Sequence, residues 1–542
     1  MNSRPLVDIY SHNMWTHIFS TFSLDNQEQN NYAQGIEEMK KKVKIMLGAA
    51  SSTLDKNSII LIDTIERLGL AYHFETEIEE MLQQIHNFHA NNRDDDLFTV
   101  ALGFRMLRQH QYHVSSSVFE KFTDKDKKFL KSLSNDVEGL LSLYEAANVQ
   151  ISGEEILDEG LVFAVNNLKR MLHEELESSA LHKVNQALEQ PLHKGMPVLQ
   201  SRRYISIYQK DHKRDELLLT FAKFNFNYLQ NLYKNELSQL LRWWKDFEVE
   251  SKLPFVRDRV TEIYFWSMAF RFEPQYSIVR LAITKCMQMM TIMDDTYDNY
   301  ATVKEANLFT RILERWDMDE IDQLPDCLKV SYQIIMRINQ DFEREAVENG
   351  TSFALPYFKD KVIQFGRAYN QELKWLTEKR IPSYEDYLPN SVTTSGTHVI
   401  FTALLPSMES LTKETIDWVL SDPKILVSTA KMVRLLNDLA SHERESKGGD
   451  AITLVDCRMK YQGLSKEEIL SKLSKEVEDG WKDLNNEWVL ARTSGVPKNV
   501  VEQLLNFTRG TQVIYKKNDG ITYPQEFLAP LIITLLRDPI HI

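Results

Sequence analysis

The sequence predicts an all-α protein in two helical domains, and three observations carry that prediction. Glycine (18) and proline (15) each make up about 3% of the 542 residues, well below the roughly 7% and 5% typical of proteins. Long stretches rich in Leu, Lys, Glu and Met repeat their apolar residues at helical spacing. A chain of this length also exceeds what one simple core accommodates.

In chain order, residues 35 to about 200 read as successive amphipathic helices, among them "ILIDTIERLGLAYHFETEIEEML" and "SLSNDVEGLLSLYEAA". Pro191, Gly195 and Pro197 interrupt the pattern. The charged stretch "QKDHKRDE" (209–216) then precedes "LLLTFAKFNFNYLQNLYKNELSQLLRWWKDF", another long helical run. The domain boundary is placed there, near residue 212, giving domains 1–211 and 212–542. "DDDL" at 94–97 in the first domain reads as a solvated loop or helix start, and every chemically suggestive feature lies in the second.

The totals exclude several classes of function. Lys plus Arg (64) against Asp plus Glu (78) gives a net charge of −14 with no basic stripe, which argues against a nucleic-acid binder. No apolar run approaches the roughly 18 residues needed to span a membrane. Cys286, Cys327 and Cys457 are far apart without His or Cys partners, so neither a disulfide framework nor a zinc site is expected, and a reducing compartment fits. The opening "MNSRPLVDIYSHNMW" shows neither a secretory apolar region nor a Ser/Arg-rich transit peptide, so a cytosolic protein is expected.

The stretch "TIMDDTYDNYATVKE" (291–305) concentrates the chemistry. Thr302 and Glu305 form an S/T-x-x-E capping box, so the apolar helix before them ends near Asn299 or Tyr300. Asp294 and Asp298 share a face of its last turn, with Asp295 about 100° round. Carboxylates at that negative end are disfavoured by up to about 1 kcal/mol each, and no Lys or Arg occurs between Lys285 and Lys304. A bound cation would resolve the conflict, and an all-oxygen cluster suits Mg²⁺ held together with substrate phosphates.

A second oxygen-rich stripe lies in "KMVRLLNDLASHERESKGGD" (431–450), where Asn437, Ser441 and Glu445 recur at steps of four, roughly 12 Å along one helix face. Gly448 and Gly449 end that helix, again leaving an acid at its negative end. Two such sites imply a phosphate-rich anion between them. Arg257 and Arg259 of "FVRDRV", Arg434 and Lys447 are the cations that would share it, arginine being suited to diphosphate by its paired donors.

Taken together, RDR (257–259), DDTYD (294–298) and NDLASHERE (437–445), in that order and spacing, resemble the class I terpene synthases of plants. The likeness extends over the chain, through "RLGLAYHFETEI", "LRQHQYHVSSSVF", "LRWWKDF" and "FEPQYSIVR". It implies a catalytically silent N-terminal α-barrel relic and a C-terminal helical bundle with the active site. It also implies a monomeric carbon–oxygen lyase acting on a prenyl diphosphate, with three Mg²⁺ (Mn²⁺ substituting) held by Asp294, Asp295, Asp298, Asn437, Ser441 and Glu445.

Arg257, Arg259 and Arg434 would hold the departing diphosphate, and Trp266, Tyr297, Phe401 and Tyr515 are candidates for an aromatic wall around the cation. Thr394-Ser395-Gly396 resembles the family's helix break, and "YKKNDGITYP" (515–524) its closing loop, with Asp519-Gly520 at the turn. Relatives usually carry an aromatic residue where Ile521 stands, and Tyr523 is a candidate replacement. The missing DxDD fits the silence of the N-terminal domain, while the missing arginine pair in the Arg4-Pro5…Trp15 start and the absent transit peptide favour a sesquiterpene synthase acting on farnesyl diphosphate over a plastid monoterpene synthase. Geranyl and geranylgeranyl diphosphate remain open as substrates, since pocket volume decides that choice. A chain-elongating transferase would carry two DDxxD motifs, and a non-catalytic scaffold would be expected to lose its metal motifs.

Overall fold

The computed structural model describes residues 13–89, 95–173, 178–408, 411–448 and 451–542, apart from the side chains of 88–89, 178–179 and 446–448. Among the described residues the regular structure is helical, and the one extended feature is an isolated antiparallel bridge between Thr123 and Phe129. No helix among them is long and apolar enough to cross a membrane.

The chain divides into two compact units. One comprises Leu24–Leu232, Trp481–Leu505 and Ile533–Ile542. In it α1 (Leu97–Gln109), α2 (Val137–Ala147) and α3 (Glu155–Met171) pack in succession around buried Val100, Phe104, Leu140, Leu143, Leu157 and Leu168. Asp96 starts α1: its carboxylate accepts the Thr99 N–H at 2.9 Å, satisfying one of the helix's free donors, and also pairs with Lys56 at 2.8 Å. "DDDL" is thus a helix start, with Asp94 outside the described residues.

The other unit comprises Met1–Ser23, Tyr233–Gly480 and Asn506–Ile532. This division differs from the expected single cut near residue 212. The helix α4 (Glu216–Lys245) begins only at the end of the charged stretch and runs unbroken through the division after Leu232, contributing residues to both units. Segments near both chain ends also belong to the unit opposite to the one their sequence position suggests. Local charge patterning does not record such exchanges.

In the second unit every residue of α5 (Val260–Phe270) is buried. Arg280 fixes the turn from α5 into α6 (Ser277–Asn299). Its Nε and Nη2 donate to the Glu236 carboxylate at 2.9 and 2.7 Å, and its Nη1 to the carbonyls of Arg271 and Glu273 at 3.0 and 2.8 Å. That buried arrangement is the structural content of "FEPQYSIVR". α6 ends at Asn299, and α7 (Val303–Arg315) opens with the expected capping box: Thr302 N–H donates to Glu305 at 2.9 Å and Glu305 N–H to Thr302 Oγ1 at 3.3 Å.

α6 packs against α8 (Asp326–Glu348), α9 (Leu355–Thr377) and α11 (Thr397–Leu404). The expected break lies between α10 (Tyr384–Thr394) and α11, where Gly396 has φ +72° and a Cβ would stand 1.8 Å from Met290 Cε. The positive φ favours glycine there, and any side chain would also have to displace Met290. α12 (Lys424–Gly448) and α13 (Lys498–Ile514) complete the elements that build the site.

Candidate active site

A cavity in the second unit is lined from α5, α6, α9, α10, α11, α12, α13 and the segment after α13. α6 supplies Met287, Met290, Thr291, Asp294 and Asp298. Their spacing of three and four puts them on one face, which changes from apolar to acidic toward the helix end.

The acidic end is crowded. Asp294 is a quarter exposed and pairs with Arg257. Asp295 is fully buried: one oxygen accepts the Arg257 backbone N–H at 2.7 Å, and the other accepts Asn299 Nδ2 and forms an ion pair with Arg257 Nη2, both at 2.9 Å. Burial, reinforced by the neighbouring Asp294, pushes Asp295 up to about 6 despite Arg257. Burial also raises Asp298 above the usual carboxylate range, with Asp294, Glu372 and Asp295 adding to it. Asp295 therefore ties the RDR segment to α6, while Asp294 and Asp298 present their carboxylates to the cavity.

On α12, Asn437 and Glu445 line the cavity, as does Arg434, whose Nη2 forms an ion pair with buried Asp438 at 2.7 Å. Asp438 also accepts from Tyr387 Oη at 3.1 Å and the Leu454 N–H at 2.8 Å, so it orients Arg434. Ser441 is fully buried on the same stripe, and its hydroxyl has no hydrogen-bond partner among the described residues. Burial lifts Glu445 to about 7 against the pull of Arg444, which donates to it at 2.9 Å. The side chain of Lys447 lies outside the described residues.

Two groups that the sequence reading missed complete this ring. Glu372 of α9 lines the cavity and accepts from Thr394 Oγ1 at 2.8 Å and Asn390 Nδ2 at 3.1 Å; burial raises it to about 7. Arg444 bridges Glu445 and, at 3.4 Å, Asp519. Phe365, Tyr369 and Glu372 recur at steps of four and three, a shared-face signal present in the sequence. The described lining then holds six carboxylates (Asp294, Asp295, Asp298, Glu372, Glu445, Asp519) against three arginines (Arg257, Arg434, Arg444). No three acidic, His or Cys side chains among the described residues converge into a ready-made metal cage.

The apolar part of the wall contains Trp266, which stacks on Phe507 at 5.6 Å and meets Tyr515 edge-on at 5.7 Å. Phe507, a further omission, shares the α13 face that leads to Tyr515, eight residues on. Thr394 and Ser395 of the helix break line the cavity as well. Tyr297 and Phe401 do not. Tyr297 is fully buried and bonded to Thr310 at 2.8 Å, and Phe401 packs against Phe270 and Phe507; both are core residues.

Arg259 also departs from expectation: it is 1% exposed, lies outside the lining, and donates from Nε to the Ile521 carbonyl at 2.7 Å. In the segment after α13, Tyr515, Asp519 and Ile521 line the cavity, whereas Tyr523 is 49% exposed. Ile521, not Tyr523, therefore takes the place expected for an aromatic residue.

Residues 14–188 match the family domain described as "Terpene synthase, N-terminal domain", and residues 245–483 "Terpene synthase family, metal binding domain". The chain is 49% identical to a tau-cadinol synthase of Lavandula angustifolia, over 99% of this chain and 97% of that one. It is 47% identical to a gamma-cadinene synthase of Ocimum basilicum, over 99% and 98%. An isoprene synthase of Populus x canescens, solved with three Mg²⁺ ions and dimethylallyl-S-thiolodiphosphate, superposes with a TM-score of 0.88 at 30% identity, covering 95% of this chain and 99% of that one. Matched in both domains and along nearly its whole length, the chain belongs to the terpene synthase family.

Proposed function

We propose that the protein is a sesquiterpene synthase, a carbon–oxygen lyase that ionises farnesyl diphosphate, cyclises or rearranges the resulting cation, and releases a C15 hydrocarbon or alcohol with diphosphate. One observation carries this reading: a ring with three more carboxylates than arginines adjoins an aromatic and aliphatic wall in the same cavity. The identity to synthases named for cadinol and cadinene, both C15 terpenes, supports the chain length.

The residues fit Mg²⁺. The excess of buried carboxylates and the unpartnered Ser441 hydroxyl are hard oxygen donors of the kind this ion takes, together with substrate phosphates. Asp294, Asp298 and Glu372 would hold it on one side, Asn437, Ser441 and Glu445 on the other, with three ions in total as in the isoprene synthase. Mn²⁺ would substitute. Bound there, the metal supplies Lewis-acid polarisation of the diphosphate.

This chain's residues do the rest. Arg257 and Arg434, with Lys447, bind the diphosphate through charge-assisted hydrogen bonds. Asp295 and Asp438 hold Arg257 and Arg434 in place. Trp266, Phe507, Phe365 and Tyr515 exclude water and present ring faces or edges around the hydrocarbon, where faces favour a cation. The enzyme works as a monomer in the cytosol; light scattering and a fluorescent fusion would test those two points.

The function itself is tested by gas chromatography with mass detection after incubation with farnesyl, geranyl or geranylgeranyl diphosphate, with and without Mg²⁺. A Mg²⁺-dependent C15 product is expected. C10 or C20 products made in preference would move the reading to a mono- or diterpene synthase, and no product from any substrate would favour a non-catalytic scaffold.

A further inference from the structure

We propose that Arg259 is a positioning residue for the turn at 519–522, fastening the segment that carries Ile521 against the cavity, and is not a ligand of the diphosphate. The inference rests on the reading of the cavity as a prenyl diphosphate site. Arg257 lines that cavity and Arg259, two residues on, does not. Three of Arg259's hydrogen bonds go to backbone: Nε to the Ile521 carbonyl at 2.7 Å, Nη2 to the Thr522 carbonyl at 3.4 Å, and Nη1 to the Asp258 carbonyl at 2.8 Å. Buried Glu262, three residues on, accepts Trp15 Nε1 at 2.8 Å.

The turn is built to be held this way. Asp519 Oδ1 accepts the N–H groups of Ile521 and Thr522, both at 3.1 Å, and its Oδ2 accepts Thr522 Oγ1 at 2.5 Å. Gly520 sits so close to the Ile514 carbonyl that a Cβ would lie 2.6 Å from it. The carbonyls that those amides leave facing outward are the ones Arg259 takes.

Arg257, Arg444 and Arg259 therefore divide the work. Arg257 contacts both Asp294 and, at 3.2 Å, Thr522 Oγ1, while Arg444 contacts both Glu445 and Asp519. Their bonds join the acidic ring to the turn, so metal and diphosphate redistribute them. Arg259 grips neutral carbonyls, whose charge does not change as the cavity fills. Its grip keeps Ile521 over the cation and water out. If the turn loosens, water adds through oxygen to the cation and gives up a proton to solvent, leaving an alcohol.

The test compares wild type with Arg259→Lys, Arg257→Lys and Gly520→Ala, each with Mg²⁺ and inorganic diphosphate. Exposed Lys517 and the adjoining Lys516 give trypsin a cutting site beside the turn. Arg259→Lys is expected to keep calorimetric diphosphate affinity while saturated protein is cut about tenfold faster, the scale of one weakened charge-assisted hydrogen bond. Its products should shift toward alcohol. Arg257→Lys should lose diphosphate affinity. Gly520→Ala, which disturbs the turn with Arg259 intact, should reproduce the faster cutting and the alcohol, and it decides the matter if Arg259→Lys does not fold. Diphosphate affinity lost in Arg259→Lys as in Arg257→Lys, with cutting at saturation unchanged, would overturn the proposal alone. So would a Gly520→Ala protein with neither effect. Wild type that binds no Mg²⁺ and diphosphate would overturn the functional reading as well.

Discussion

Asp96 and Asp294 stand in acidic runs of similar composition, "DDDL" and "DDTYD", and the protein uses the two runs in opposite ways. Asp96 lies at the positive end of α1, where its carboxylate takes a free N–H. Partial burial pushes it up, but the bonds from Lys56 and Thr99 outweigh that and bring it down to about 2. Asp294, Asp295 and Asp298 lie at the negative end of α6, where burial and mutual repulsion raise Asp295 and Asp298. One acid stabilises the helix it begins; the three others burden the helix they end. Placement relative to the helix dipole and to water, and not the number of carboxylates, separates the cap from the proposed metal site.

Substitution sharpens the contrast. Asp294→Ala should lower kcat/KM by about 10²–10³-fold, the scale of losing one aligned electrostatic contact to the transition state, with melting little changed; steady-state diphosphate release measures it. Ser441→Ala should raise the Mg²⁺ requirement by about 10–100-fold, as changes around metal ligands do. The metal-free protein should melt no lower, since the change removes a buried hydroxyl without a partner among the described residues. A metal titration of activity beside a melting curve checks both parts.

The pH dependence separates the two regions next. Asp295, Glu372 and Glu445, at about 6, 7 and 7, keep protons in the folded protein that they would lose near pH 4 unfolded. Their contribution to metal-free stability is therefore fully present below about pH 4 and lost as pH rises through about 6 to 7. Metal needs Glu372 and Glu445 deprotonated, so half-saturating Mg²⁺ should fall by about tenfold per proton released between pH 6 and 7. Asp96 has the opposite sign: its stabilisation is present above about pH 4 and is lost as pH falls toward 2. Calorimetric Mg²⁺ titrations with inorganic diphosphate at pH 6, 7 and 8 would show whether the affinity rises. The smallest effect is expected at the cap itself, where Asp96→Ala should cost about 1 kcal/mol in urea denaturation and leave turnover unchanged.

Much of the site was legible because it is written in local patterns. The end of α6, the Thr302–Glu305 box, the stripe of Asn437, Ser441 and Glu445, and the break at Gly396 each follow from spacing and residue type within one or two turns. What escaped depends on direction or on distant chain. Tyr297 adjoins Asp298 in sequence, but one residue on a helix is about 100°, and it points into the core. Phe401 stands in the same relation to Ile400, which does line the cavity. Glu372 looks like any acid of an amphipathic helix until α9 is packed, although its spacing from Phe365 and Tyr369 was readable. Arg259 had the right residue type in the right motif, yet its partners lie some 260 residues away on the turn after α13. The division into units escaped for the same reason.

The central claim, that the acids ending α6 and α12 are completed by divalent metal and diphosphate, is tested most directly by anomalous diffraction from crystals grown with Mn²⁺ and inorganic diphosphate. Peaks are expected about 2.1 Å from oxygens of Asp294 and Asp298 on one side and of Asn437, Ser441 and Glu445 on the other, with diphosphate between them and Asp96 bare. Diphosphate bound to arginines alone, with no anomalous peak at either acidic helix end, would contradict it.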